Sequence, residues 1–224
     1  MFERFAVYIT FDGLLGKRGA DWLGWDISAG LAALRPRFDG IDLEHVTARP
    51  HAYGFHATIK APFRLATGHS EEQLRAAFVA MCADLKPARS EGLHLSRIGR
   101  FLALTLNGDD SGIKVLAANV VQTLDPFRAP LTKQEIARRN PARLSDIQRA
   151  NLMEWGYPHV MENFQFHATL TGPLKDATTA PVLAAAEQHF SPVLPAPIHI
   201  AHLTLAGQKS DGMFHEILRS ALRG

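Results

Sequence analysis

The nine residues Phe55-His56-Ala57-Thr58-Ile59-Lys60-Ala61-Pro62-Phe63 are written a second time as Phe166-His167-Ala168-Thr169-Leu170-Thr171-Gly172-Pro173-Leu174. Five of the nine positions are identical, and three more exchange like for like: Ile for Leu, Ala for Gly and Phe for Leu. Side chains of an extended strand alternate between its two faces. Each copy therefore puts Phe, Ala and an aliphatic residue on one face and His and Thr on the other, the polar pair about 7 Å apart. Packing accounts for the first stripe and leaves the second unexplained. Pro62 and Pro173 are expected to end ladder pairing beyond the polar pair.

The rest of the chain supplies two α+β half-units around these copies. Phe5, Val7, Ile9 and Phe11 alternate with Arg4, Tyr8 and Thr10, which predicts a strand with one core face and one polar face. Leu23, Ile27, Leu31 and Leu34 are spaced for a helix over 20–36 that stops near Pro36. Ser70 with Gln73 forms a capping box ahead of Leu74, Phe78, Met81 and Leu85. Strands are expected at 93–98 and 101–106 around Gly99, followed by a helix over 112–124. From about 125 to 160, four prolines punctuate two short helices opened by Thr132 with Glu135 and Ser145 with Gln148. This stretch reads as a helical insertion and carries Arg138, Arg139, Arg143 and Arg149. Beyond it come a strand over 164–171, a helix over 178–190, a proline-rich turn and a strand over 198–206. A last apolar element over 213–222 fits either a hairpin strand or a helix. The expectation is a single α+β domain with two lobes, about 1–110 and 111–224.

Composition narrows the function classes. With 24 Lys+Arg against 22 Asp+Glu the formal charge is +2, too small an imbalance for a long nucleic acid and compatible with a small anionic partner. The single cysteine, Cys82, excludes an intrachain disulfide and falls in a helical apolar pattern, as a core thiol would. No apolar run approaches the roughly 18 residues needed to span a bilayer, and the opening residues do not form a signal peptide, so no membrane partner and a cytoplasmic location are expected. His199 and His202 stand three apart in the expected strand, on opposite faces, which argues against a shared metal.

Two imidazoles and two hydroxyls around one cleft suit phosphodiester chemistry. A neutral histidine accepts a proton, a protonated one donates a proton to a leaving oxygen, and hydroxyls hold the non-bridging oxygens. No metal or cofactor is required. The candidate catalytic residues are His56 and His167, and the candidate phosphate binders are Thr58 and Thr169. Lys60, on the same expected strand face, is a candidate for neutralising phosphate charge, and Tyr8, Arg4 and Thr171 are further candidate substrate contacts. Tyr53 and His51 sit in a stretch of loop composition, and the basic run from Arg138 to Arg149 reads as solvated helix faces in preference to a lid.

The two motifs His56-Ala57-Thr58-Ile59 and His167-Ala168-Thr169-Leu170 resemble the paired H-x-[ST]-hydrophobic signatures of the 2H phosphoesterase superfamily. The segments Arg49–Leu65 and Trp155–Leu174 resemble its DUF1045 branch, described as putative phosphonate metabolism proteins. The resemblance implies a two-lobed, pseudo-symmetric fold of antiparallel sheets flanked by helices, with a metal-independent site in a central cleft. It implies His56 and His167 as the acid/base pair, unassigned between them, and Thr58 and Thr169 as phosphate binders. It also implies action on cyclic phosphates or 2′,5′-type diesters, with ribose 1,2-cyclic phosphate in phosphonate breakdown as the branch's expected substrate. Two alternatives remain open at this point: an RNA-end 2′,3′-cyclic phosphodiesterase or 2′,5′ ligase, and a non-catalytic binder of a phosphorylated nucleotide or sugar.

Overall fold

The computed structural model describes residues 1–194 and 197–224. In chain order its strands are β1 (Arg4–Thr10), β2 (Trp25–Asp26), β3 (Leu31–Ala32), β4 (His56–Phe63), β5 (Ala88–Ser90), β6 (Gly92–Ile98), β7 (Phe101–Asn107), β8 (Ala168–Thr169), β9 (Ile198–Ile200), β10 (His202–Gln208) and β11 (Phe214–Ala221). The α-helices are α1 (Gly13–Leu23), α2 (Leu43–His51), α3 (Glu71–Asp84), α4 (Ser111–Thr123), α5 (Lys133–Arg138), α6 (Asp146–Trp155) and α7 (Asp176–Phe190). Seven strands make one sheet in the order β11-β10-β1-β4-β8-β7-β6, every neighbouring pair antiparallel. Helix α3 packs on β10 and β11, and α4 packs on β4 and β5, which makes the fold α+β. Among the described residues no helix is long and apolar enough to cross a membrane.

The two copies of the repeat meet at the seam of this sheet. Strands β4 and β8 are joined at a single register pair, Ala57 with Ala168. The ladder goes no further because the carbonyl of Leu170 accepts the Trp22 indole N–H at 2.9 Å and the amide of Leu170 turns to Leu102 O. The strand expected over 164–171 is thus reduced to two residues. On one side of the seam β4 continues into β1, β10 and β11; on the other β8 continues into β7 and β6. Each lobe therefore draws strands from both halves of the chain, and the lobes do not follow a cut near residue 110.

Several elements lie where the sequence puts them and several do not. The three capping boxes at Ser70, Thr132 and Ser145 all form and open α3, α5 and α6. Cys82 is buried and burial pushes its thiol up to about 11. The helix expected over 20–36 ends at Leu23, because Gly24 takes a left-handed φ of 75° and caps onto Ala20 O. Leu31 and Leu34, which carried that periodicity, are 65% and 91% exposed, and Ile27 instead packs with Tyr8 and Phe214. This second cluster explains why β1 has no polar face: Ala6 and Tyr8 are covered by Ile27, Trp25 and Tyr53. His51, placed by composition in a loop, is instead the last residue of helix α2. The strand expected over 198–206 is split, so His199 pairs with Arg89 on β5 while His202 belongs to β10. The element over 213–222 is strand β11, in a hairpin turned at Gly212. Of the proline-rich turn before β9, Pro195 and Ala196 lie outside the described residues.

Candidate active site

Antiparallel register about Ala57 and Ala168 sets His56 across from Thr169 and Thr58 across from His167. Ala57, Ile59, Ala168 and Leu170 are buried in the main core, so the four polar residues share the opposite face. They line one cleft of about 340 Å³. The repeat thus produces a local two-fold pattern in which each imidazole is flanked by its own threonine along the strand and by the other copy's threonine across it.

The backbone holds both rings in one sense. His56 Nδ1 lies 2.9 Å from Gly54 O, and His167 Nδ1 lies 2.9 Å from Gln165 O, in each case the carbonyl two residues upstream. A carbonyl only accepts, so each Nδ1 carries the hydrogen and each Nε2 is left as the chemically available nitrogen. The Thr58 hydroxyl accordingly donates to His56 Nε2 across 3.0 Å. His56 is further stacked on Tyr8. Burial holds its imidazolium down to about 4, with the positive charge of His167 acting the same way and the Gly54 carbonyl opposing both. His56 is therefore neutral at pH 7.

Strand β4 does not keep its alternation past Thr58. Opposite β1, Tyr8 pairs with Thr58 but Val7 pairs with Lys60, so one extra residue is inserted into β4 at this point. The slip turns Lys60 to the other face. Lys60, expected beside His56 and Thr58, is instead 3% exposed and donates to Val121 O at 3.0 Å and Asp125 Oδ1 at 3.2 Å. Burial lowers its ammonium to about 8 against the pull of Asp125. Ala61 and Pro62 take its place on the cleft wall. Pro62 does not end the pairing, since Phe63 still pairs with Phe5 after a second irregularity.

The other candidates divide. Thr171 lines the cleft, but its Oγ1 accepts the Leu102 amide at 3.0 Å and is committed to the seam. Tyr8 gives the floor its ring, and burial raises the phenol well above its ordinary value. Arg4 reaches the wall, where Nε donates to Gln208 Oε1 at 2.6 Å and the guanidinium sits over Phe214. Residues not singled out for the site complete it. Arg49 comes from the last turn of α2, Phe101 from β7 beside His167, and Arg139 and Tyr157 from the insertion, the guanidinium 4.8 Å from the ring centroid. Tyr53, read as part of a turn, also lines the cleft and stacks on Phe214. Only proximity in space marks these residues; their local sequence carries no periodic signal.

The insertion is fastened close to β4. The Ala66 amide donates to Phe127 O and the Ala129 amide to Arg64 O, and Arg64 grips Glu135 through Nε at 3.2 Å and Nη2 at 3.0 Å. Those bonds and the capping box at Thr132 hold the Glu135 carboxyl down to about 2. Helix α5 is thereby fixed, and Arg139, which follows it, is delivered to the cleft. Arg149 of the same basic run is instead paired with Asp146 on the surface. Among the described residues the cleft lining includes three guanidiniums and no carboxylate, an environment that favours an anionic ligand.

Residues 58–215, well over half of the chain, match the family model described as "Protein of unknown function (DUF1045)". The chain is 38% identical over 218 residues to the ribose 1,5-bisphosphate phosphokinase PhnN of Janthinobacterium sp. (strain Marseille), covering 93% of this chain and 48% of that protein. It is 31% identical over 205 residues to the protein of the same name from Laribacter hongkongensis (strain HLHK9), covering 87% of this chain and 46% of that one. The chain thus spans about half the length of the curated relatives it matches. Among solved structures, a phosphoesterase aligns over 100% of both chains at 13% identity and a TM-score of 0.49. E. coli LigT complexed with NADP+ aligns over 100% of this chain and 99% of that one at 12% identity and a TM-score of 0.47. By the family model, the chain belongs to the DUF1045 family.

Proposed function

We propose that the cleft is the active site of a 2H-type phosphodiesterase that opens a small cyclic phosphate by acid/base catalysis through protein groups alone. The observation that carries this reading is the matched pair of imidazoles, each with Nδ1 on the carbonyl two residues upstream and each flanked by two threonines. Water attacks phosphorus in line and gives its proton to His56 Nε2, the ring that burial keeps neutral. His167, entering as the imidazolium with Nδ1 still on Gln165 O, gives its Nε2 proton to the departing ester oxygen. Thr58 turns its hydroxyl from His56 to a non-bridging oxygen as the phosphate enters, Thr169 holds another, and the arginines neutralise the developing charge.

The names of the curated relatives support a choice of substrate class. Both are named for phosphorylation of ribose 1,5-bisphosphate, and this chain aligns with about half of each. We place the phosphokinase activity in the other half and read the shared polypeptide as two activities on ribosyl phosphates. Ribose 1,2-cyclic phosphate, within phosphonate breakdown, is then the leading substrate. His56→Ala and His167→Ala are each expected to lower turnover of this ester by about 10²- to 10⁴-fold with the fold retained by circular dichroism. Turnover is expected to persist in EDTA. Full activity in either folded variant overturns the mechanism.

A further inference from the structure

A second cavity of about 350 Å³ opens on the same sheet face, on the far side of His167 from His56. The register pairs Ala103 with Thr169 and Leu104 with Ala168, so Thr105 falls opposite His167, one step past the ladder. Strand β6 then sets His94 across from Thr105 and Ser96 across from Ala103. Leu104 and Ala168 belong to the core, which leaves Thr105, His94 and Ser96 on the catalytic face. Gln165, whose carbonyl orients His167, also lines the cavity. Gln165 and Phe166, the two residues that precede His167, both line the cavity, so it begins beside the residue that carries the imidazole.

Its polar groups form a relay. Ser96 Oγ is 2.6 Å from Thr105 Oγ1, which is 3.1 Å from His94 Nε2, and Thr105 is only 9% exposed. With neutral His94 the relay runs in either direction. If Ser96 donates to Thr105 and Thr105 to His94, His94 Nδ1–H is left as a donor and Ser96 Oγ as an acceptor. If His94 donates to Thr105 and Thr105 to Ser96, the Ser96 hydroxyl becomes the donor and His94 Nδ1 the acceptor. A surface that offers one donor and one acceptor in exchangeable order matches hydroxyl groups, which are themselves both. The charged residues on the cavity wall are already matched: Arg97 to Asp176 and Asp110 to Lys114. Charge is therefore concentrated in the neighbouring cleft, and neutral hydrogen bonding here.

We infer that this cavity is the subsite for the uncharged, hydroxyl-bearing moiety attached to the leaving oxygen, with the relay Ser96–Thr105–His94 as its specificity determinant. The assignment rests on the proposed reaction, in which His167 protonates that oxygen and the alcohol it belongs to must lie on the His167 side. Thr105→Val keeps shape and removes the central hydroxyl; Thr105→Ser restores it.

The test compares ribose 1,2-cyclic phosphate with ethylene cyclic phosphate, which has the same five-membered ring and no further hydroxyls. Thr105→Val is expected to lower the ratio of kcat/KM for the ribosyl ester to that for the ethylene ester by about three- to tenfold, the worth of one neutral hydrogen bond, and Thr105→Ser to recover it. An unchanged ratio in Thr105→Val overturns the subsite. If the wild type turns over neither ester, the reaction reading fails on its own. The subsite is then decided by saturation-transfer NMR with methyl β-D-ribofuranoside: a signal weakened by Thr105→Val supports it, and absence of signal or an equal signal in the variant overturns it.

Discussion

Tyr8 lies flat against His56, with ring centroids 3.6 Å apart and an interplanar angle of 26°. The contact joins β1 to β4 at the cleft floor and keeps water from one face of the imidazole. The Tyr8 hydroxyl itself is buried without a hydrogen-bond partner among the described residues. Tyr8→Phe preserves the stack and removes that orphaned group, whose desolvation costs about 1 to 3 kcal/mol. Equal or greater stability in urea unfolding is expected, with turnover within about threefold of wild type. A loss beyond tenfold would assign the hydroxyl to substrate.

His56 makes stability depend on pH. Its folded value of about 4 is below the ordinary 6.5, so between these limits the unfolded chain binds the proton and the folded one does not. Stability therefore rises with pH across that window, and the contribution is lost as pH falls from 6.5 to 4, by on the order of 3 kcal/mol at the outside. Urea midpoints measured from pH 4 to 7 are expected to vary less in His56→Gln than in wild type.

Arg139 acts on binding before it acts on rate. Arg139→Gln withdraws a cation from the cleft and leaves Tyr157 without its cation–π partner. KM for a cyclic phosphate is expected to rise about fivefold with kcat changed less, and the rise of KM with added salt to become shallower. Steady-state kinetics at two ionic strengths distinguish this from a purely structural effect.

Lys60 belongs to the framework. Lys60→Met removes a buried ammonium, while Asp125 keeps both bonds to Arg128, at 2.8 and 3.0 Å. Equal or higher stability and activity within about threefold are expected, since a buried pair is often no more stable than a well-packed apolar replacement. In the wild type the folded lysine loses its proton near 8 and the unfolded one near 10.5, so stability rises through that interval. The variant is expected to lack that rise.

What could be read from the chain depended on whether the cause was local. The capping boxes at Ser70, Thr132 and Ser145 are decided within four residues, and each opens its helix. The alternation of His56, Ala57 and Thr58 is equally local. Lys60 departs from it because the extra residue in β4 is defined only against β1. The helix expected over 20–36 differs from α1 because the spacing of Leu31 and Leu34 imitates an apolar stripe, while the left-handed turn at Gly24 is what ends the helix. Arg49, Arg139 and Tyr157 reach the cleft through packing of α2 and the insertion, a relationship that adjacent residues do not encode.

The exchange of outer strands governs the order in which this sheet is completed. Thr10 and Thr204, 194 positions apart, share a hydrogen bond at 2.7 Å between β1 and β10. During synthesis β1 and β4 emerge with one edge open until β10 and β11 follow, and β6 and β7 wait likewise for β8. Closure across such long loops is slow, so a ribosome-bound chain halted before β10 presents a bare sheet edge for a holdase to cover.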